Sequence, residues 1–127
     1  MKSLLTIFTF LFTVMFSSIS FAEWTKLGTN ESGSDFYVDF ERIRKHDGYV
    51  YWWDLVDYLK PKRGVWSSQT YYEGDCAKFG VKILADVYHK EQMGRDSGES
   101  FTRENPEWLY PSSDTVSGLI LEMVCSQ

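Results

Sequence analysis

The residues with the most specific chemistry in this sequence are its two cysteines. Cys76 and Cys125 are the only ones among the 127 residues. An even cysteine count is typical of a disulfide when the chain is exported, which the N-terminal residues described below predict. The alternatives are two buried free thiols or a metal site. Two cysteines and two distant histidines make no recognised ligand spacing. We therefore predict a Cys76–Cys125 disulfide, which closes a loop of about 50 residues and stabilises the fold by about 4 kcal/mol.

Residue types used in catalysis are present without the spacing that catalysis requires. The chain contains neither a G-x-S-x-G nor a G-x-x-x-x-G-K pattern. Asp54 and Asp57 lie three residues apart on a predicted strand and therefore face opposite sides, so they cannot form a paired carboxylate site by themselves. His89 is expected to be a hydrogen-bonded structural histidine, and His46 lies in a charged turn. The sequence predicts no enzyme activity, no metal site and no cofactor.

Two short basic clusters are better candidates for function. They are Arg42-Ile43-Arg44-Lys45-His46 and Lys60-Pro61-Lys62-Arg63, and they flank a predicted strand. Since ten strand residues span roughly 33 Å, we expect the clusters at opposite ends of the sheet. A basic loop on an acidic protein attracts anionic partners. The simpler alternative is that the charges of Lys60 to Arg63 only keep a hairpin tip soluble. Lys60, Lys62 and Arg63 are therefore candidate binding residues.

Aromatic residues occupy both faces of that predicted strand. Tyr49, Tyr51, Trp53 and Leu55 share one face, and the other carries Val50, Trp52, Val56 and Tyr58. A single helix covers only one face, so the second presents aromatic surface to solvent, to another subunit or to a flat ligand such as haem. Trp52 and Tyr58 are candidate binding residues on this reasoning, and a homodimer is favoured over a small ligand. For haem, nothing selects between His46, His89 and a tyrosine as iron ligand.

The first 22 residues have the pattern of a signal peptide. Met1-Lys2-Ser3 precedes an apolar run, Leu4 to Phe16, that is too short to span a membrane. The segment ends Ser20-Phe21-Ala22, with small residues where signal peptidase requires them. We predict a signal peptide over 1–22 and one domain over 23–127, exported to the periplasm, the cell surface or the medium. Without a second apolar run, no membrane span is expected in the mature chain.

Charge limits the class of partner. The whole chain has a formal net charge of −5, and loss of Lys2 with the signal peptide makes the mature chain one unit more negative. This acidic balance argues against general nucleic-acid binding, which requires a basic domain.

Hydrophobic periodicity predicts strands followed by one helix. The predicted strands are Trp24–Leu27, Asp35–Asp39, Tyr49–Tyr58, Val65–Asp75 and Phe79–Lys90, with a short edge strand at Ser100–Arg103. In the fifth strand, the odd positions from Ala77 to His89 are expected to face the core. Residues 40–47 are predicted as a helical turn or bent loop, closed by the hairpin dipeptide Asp47-Gly48.

Near the C-terminus, the spacing of apolar residues changes from the two-residue period of a strand to the 3.6-residue period of a helix. Val116, Leu119, Ile120, Met123 and Val124 form one helical stripe, with Ser112 or Ser113 as the expected N-cap. We expect the helix to end near Val124, with Cys125 in a distorted last turn. Strands followed by a helix predict an α+β fold, an antiparallel sheet with the helix packed on one face.

Ordered short motifs along the chain resemble the surface-adhesin protein E family. They are Tyr37-Val38-Asp39, Ile43-Arg44, Gly48, Trp53-Asp54-Leu55-Val56-Asp57-Tyr58, Ser68, Asp75-Cys76, Tyr88 with Met93-Gly94, Trp108, Pro111-Ser112-Ser113 and Val124-Cys125. The resemblance covers essentially all of residues 23–127. It implies about six antiparallel strands, a C-terminal helix and one disulfide.

The same resemblance implies an exported cell-envelope protein that binds host extracellular-matrix or plasma proteins. We expect a protein partner, either a host matrix protein or an envelope protein, and allow for a homodimer. The alternative is a periplasmic module without an adhesive role, which binds a small ligand such as haem or inhibits another protein.

Overall fold

A computed structural model describes residues 22–127. The signal peptide predicted over 1–22 therefore lies, apart from Ala22, outside the described residues. The strands are β1 (Thr25–Thr29), β2 (Asp35–Val38), β3 (Arg44–His46), β4 (Tyr49–Lys62), β5 (Val65–Asp75), β6 (Gly80–His89) and β7 (Glu99–Thr102). The chain ends in helix α1 (Val116–Cys125), and 3-10 turns occupy Phe40–Arg42 and Gln92–Gly94.

The strands form one antiparallel sheet in the order β1-β2-β4-β5-β6-β7, and β3 pairs with β4 beside β2. This confirms the predicted α+β fold with one C-terminal helix. Sequence reasoning missed β3, since the expected helical turn covers only Phe40–Arg42. Asp47 and Gly48 both have positive φ, 51° and 82°, as the predicted hairpin turn requires.

The core lies between α1 and one face of the sheet, which we call the helix face. Its buried apolar residues come from α1 and from β2, β4 and β6: Val38, Val50, Trp52, Val81, Ile120, Leu121 and Val124. Trp52, near the start of the longest strand, β4, is only 1% exposed. Burial of each such side chain contributes roughly 1.5–3 kcal/mol, so this contact carries much of the stability.

The apolar stripe of α1 is rotated from the predicted one. Leu121 is fully buried, whereas the predicted stripe residue Leu119 is 43% exposed. With the buried face centred between Ile120 and Leu121, Cys125 lies at its edge on a regular helix. The expected distortion of the last turn is therefore wrong, and α1 continues through Cys125.

The start of α1 also differs from the prediction. Thr115 is the N-cap and its Oγ1 accepts a hydrogen bond from the Gly118 amide, so neither Ser112 nor Ser113 caps the helix. A Cβ on Gly118 would lie 2.1 Å from the backbone oxygen of Ser112. The close approach of this chain segment explains a glycine inside the helix, despite its cost of about 1 kcal/mol relative to alanine.

The predicted disulfide is present. Cys76 and Cys125 are bonded, with 5.7 Å between their Cα atoms. The bond joins the last residue of α1 to the turn after β5, and so holds the helix against the end of the sheet.

A β-bulge in β6 changes which residues face the core. Tyr71 pairs with Ala85 but Tyr72 pairs with Ile83, so Leu84 is an extra residue. The alternation reverses there, and the prediction that all odd positions share one face is wrong. Val81 lies on the helix face, whereas Ala85 lies on the opposite face.

Gly74 supplies the room that Trp52 needs. A Cβ at Gly74 would lie 2.7 Å from the Trp52 ring and 3.0 Å from Val50 Cγ1, whereas one at Gly28 would meet nothing within 4 Å. We expect Gly74→Ala to lower the free energy of unfolding by about 1–3 kcal/mol through overpacking. Urea denaturation followed by circular dichroism measures this effect. The matched Gly28→Ala variant should change stability by less than about 0.5 kcal/mol, and equal effects would contradict the explanation.

Candidate functional site

The predicted basic cluster forms the tip of the β4–β5 hairpin, residues 59–64, which we call the basic tip. Lys60, Lys62 and Arg63 are all exposed. Arg63 and Gly64 have positive φ, 52° and 80°, and form the turn. The other basic cluster lies at the far end of β4, where Arg44 pairs with Tyr51. The two clusters are therefore at opposite ends of the sheet, as predicted.

A wide bulge separates the basic tip from the regular ladder. Asp57 pairs with Ser67 and Lys62 with Val65, so residues 58–61 lie opposite Trp66 alone and have no cross-strand Cα partners. Pro61 has no backbone N–H to donate, which is compatible with a break in the ladder. The extra residues displace the strand outward, and Leu59 is left 63% exposed.

Tyr58 and Trp52, the two candidate aromatic binding residues, have different surroundings. The Tyr58 hydroxyl lies 3.0 Å from Ser68 Oγ, and Lys62 Nζ lies 4.8 Å from the centre of the Tyr58 ring. Tyr58 thus supports the basic tip through a cation–π contact. Trp52, by contrast, stacks on Tyr72 beneath α1 with 5.2 Å between ring centres. This corrects the expectation that Trp52 belongs to an accessible binding surface.

A cleft of about 330 Å³ lies between the basic tip and the turn that connects β1 to β2. It is lined by Ser32, Ser34, Leu59, Lys60, Pro61 and Lys62. We call it the tip cleft. Leu59 approaches Gly33, whose φ of +84° and missing side chain make the contact possible. Sequence reasoning missed this cleft because its two walls are distant in the chain. The one available signal was an apolar Leu59 directly before the basic run.

A second cleft, of about 410 Å³, lies on the other side of the hairpin. Arg63 and Lys90 line it, but so do the acidic residues Asp96 and Glu99. The lining of the tip cleft contains two lysines and no acidic residue. The tip cleft is therefore the side on which an anionic group meets the least repulsion.

The face opposite α1 carries a group of half-buried aromatic rings, which we call the aromatic face. Its members are Tyr49, Tyr51, Trp53, Tyr71 and Trp108. Their ring centres are 4.9–6.2 Å apart within each contacting pair. This confirms that one sheet face lies away from the helix with aromatic side chains on it.

Cations flank the aromatic face, and each is paired with an acid. Lys82 Nζ lies 4.6 Å from the centre of the Trp108 ring and 3.9 Å from Glu73. Arg42 lies 6.0 Å from the Trp53 ring centre and forms an ion pair with buried Asp39 at 2.6 Å. The pairing leaves this face close to neutral. It therefore has less attraction for a charged partner than the basic tip.

His89 is a structural histidine, as predicted. It is buried, with Nδ1 3.1 Å from Asp96 Oδ1 and Nε2 3.1 Å from Gln69 Nε2. Both ring nitrogens are engaged, so His89 is not available as an iron ligand. His46 is exposed and lies 3.0 Å from the adjacent Asp47 carboxylate.

Asp54 and Asp57 face opposite sides, as predicted, so they form no paired carboxylate site. Asp57 accepts a hydrogen bond from the Met93 amide, where the segment after β6 folds over the sheet. Asp54 is buried on the helix face, opposite Thr70, and Thr70 Oγ1 donates to Asp86 at 3.2 Å.

The electrostatic environment of Asp54 favours its neutral form. Burial raises the pKa of Asp54 to about 8, a hydrogen bond from Tyr72 lowers it in part, and the charge of Asp86 raises it further. Asp86 itself is paired with Arg103 at 2.7 Å. Asp54, Asp86 and Thr70 are all buried, so the arrangement is that of a structural polar cluster.

Protonation of Asp54 makes stability depend on pH. The folded chain keeps a proton that the unfolded chain, with a pKa of 3.8, releases. The stability that the folded chain gains from retaining this proton is fully present below about pH 4 and is lost as the pH rises to 8. Asp54→Asn removes it, so the stability of the variant relative to the native chain should increase by up to about 1.4 kcal/mol per pH unit in that window. Urea titrations across the window measure the difference, and a constant difference would contradict the raised pKa.

Within residues 22–127, no helix is long and apolar enough to cross a membrane. The same residues contain no group of three or more His, Cys, Asp or Glu side chains that could hold a metal ion.

Comparison with known proteins identifies the fold. Residues 24–126 match the family described as Surface-adhesin protein E. Crystal form II of Haemophilus influenzae protein E superposes with a TM-score of 0.62 at 19% identity, covering 86% of this chain and 91% of that one. Protein E from non-typeable Haemophilus influenzae gives 0.59 at 19% identity, over 86% and 79%. No curated protein matches the chain in sequence.

Proposed function

The chain belongs to the surface-adhesin protein E family, and from this premise we propose that it is an exported binding protein of the cell envelope. Its partners are host extracellular-matrix or plasma proteins, met at the cell surface. A binding role without catalysis agrees with the family, which is described as a surface adhesin. The observation that carries the proposal is the exposed basic tip.

Exposure and charge favour the basic tip as the contact surface. Among the described residues, Lys60, Lys62 and Arg63 take part in no ion pair, whereas Lys82 and Arg42 of the aromatic face are each paired. Three such cations within four residues concentrate positive potential at the tip of this hairpin. Such a patch steers an anionic surface of a partner into contact.

Replacing Lys60, Lys62 and Arg63 together by alanine should weaken partner binding about 10-fold and remove most of its salt dependence. The reason is that three exposed charge contacts each contribute about 0.2–1 kcal/mol. Surface plasmon resonance against a panel of purified matrix and plasma proteins, at low and high salt, measures this. The charge-matched control replaces Arg44, Lys45 and Lys78, which lie at the opposite end of the sheet. If both variants lost the same amount of partner affinity, binding would depend on the overall charge of the protein and not on a site at the basic tip.

The cellular location separates this function from its alternative. Protease treatment of intact cells should release peptides from residues 23–127 and abolish partner binding. Recovery of the protein only after osmotic shock would favour the alternative, a periplasmic module that binds a small ligand or inhibits another protein.

We also propose that the aromatic face is the contact of a homodimer. Support comes from the half-buried rings around Trp53 and Tyr71, since aromatic side chains are enriched at protein interfaces. A dimer through this neutral face would leave the basic tip free. Sedimentation equilibrium should show a dimer for the native chain and a monomer for Trp53→Lys, which places a charge in the contact. A native monomer at every concentration would contradict this proposal.

A further inference from the structure

The tip cleft has a composition that the basic tip alone does not explain. Leu59 and Pro61 form an apolar part of its lining, and Lys60 and Lys62 line the same cleft. Its volume, about 330 Å³, is at the lower end of the roughly 300–1,000 Å³ range of ligand pockets. An anionic group alone would use the lysines and leave the apolar lining unoccupied.

The bulge gives the cleft a further property. Residues 58–61 have no cross-strand Cα partner in β5, and the pairing of β2 with β4 ends at Asp57. This stretch of backbone is therefore outside the ladder on both sides. Extended peptides bind to such unpaired strand segments through main-chain hydrogen bonds, with alternate side chains entering pockets.

We propose that the tip cleft binds an acidic peptide segment of the protein partner and encloses one apolar side chain of that segment. The apolar side chain contacts Leu59 and Pro61, and flanking carboxylates contact Lys60 and Lys62. This inference rests on the proposed function and names the chemistry that the same site recognises.

Two observations favour a peptide over a sulfated glycan. A glycan has no apolar side chain to cover Leu59, which is 63% exposed. It also cannot continue the strand beside residues 58–61. The second cleft, on the other side of the hairpin, is excluded as the docking surface by its own acids, Asp96 and Glu99.

The test uses three short peptides and the full chain purified after export and labelled with 15N. The first peptide is acetyl-Gly-Asp-Glu-Leu-Asp-Glu-Gly-amide. The second has serine in place of leucine, and the third has asparagine and glutamine in place of the acids. We expect amide shifts at Ser32, Leu59 and Lys62 with the first peptide. Affinity for the serine peptide should be about 10-fold lower, since an apolar side chain is no longer buried.

Matched variants assign these effects to the cleft. Leu59→Ser should reduce affinity for the leucine peptide to that for the serine peptide. Because the Leu59 side chain is largely exposed, the fold should survive, and the spectrum reports this directly. Lys60→Gln with Lys62→Gln should weaken both acidic peptides, whereas Lys90→Gln, beside the second cleft, should weaken neither.

Four results would overturn the inference: no binding of the leucine peptide, equal binding of the leucine and serine peptides, shifts confined to the second cleft, or tighter binding of a heparin hexasaccharide that Leu59→Ser does not affect. Each leaves the proposed function intact as long as the alanine variant of the basic tip loses partner binding. If that variant keeps full binding, the proposed function fails instead.

Discussion

The contact between α1 and the indole ring of Trp52 is the interaction on which the rest of the structure depends. Trp52 lies near the start of β4, in one buried cluster with Leu121. A Cβ on Gly74 would lie 2.7 Å from the Trp52 ring and 3.1 Å from Leu121 Cδ1, so the absence of a side chain at Gly74 leaves room for this packing. A small domain has few large side chains to bury, so losing this contact would remove a large share of its core. The Cys76–Cys125 bond limits how far the helix can move from it.

Because α1 packs on one face of the sheet, the strand residues on that face are buried and those on the opposite face stay accessible. Even-numbered residues at the start of β4 are buried beneath the helix, and odd-numbered ones form the aromatic face. The buried side includes Asp54, which remains there as a neutral acid because burial makes its charged form unfavourable. With the helix fixed over the Cys76 end of the sheet, the basic tip at the opposite end projects beyond it.

The basic tip is also a consequence of broken sheet geometry. Regular pairing of β4 with β5 would have placed Leu59 on one of the two faces. The bulge over residues 58–61 instead turns Leu59 outward beside Lys60, against the turn that contains Gly33. Family membership establishes the fold and the class of function, whereas this local departure from the ladder gives the surface its own chemistry. At 19% identity, the Haemophilus influenzae structures support the fold alone.

Local chemistry was sufficient to predict six of the seven strands, the disulfide, the structural role of His89 and the position of the basic residues in a hairpin tip, because period, cysteine number and charge are properties of the chain itself. Three features required the tertiary structure: which face of β4 is buried, the rotation of α1 toward Leu121, and the cleft beside Leu59. Each depends on contacts between segments distant in sequence. When both faces of a strand carry apolar residues, its sequence does not show which face is buried. A bulge that inserts one residue, as at Leu84, reverses the alternation without a signal in the sequence. Trp52 was therefore recognisable as a large aromatic side chain, but only packing under α1 decided that it belongs to the core.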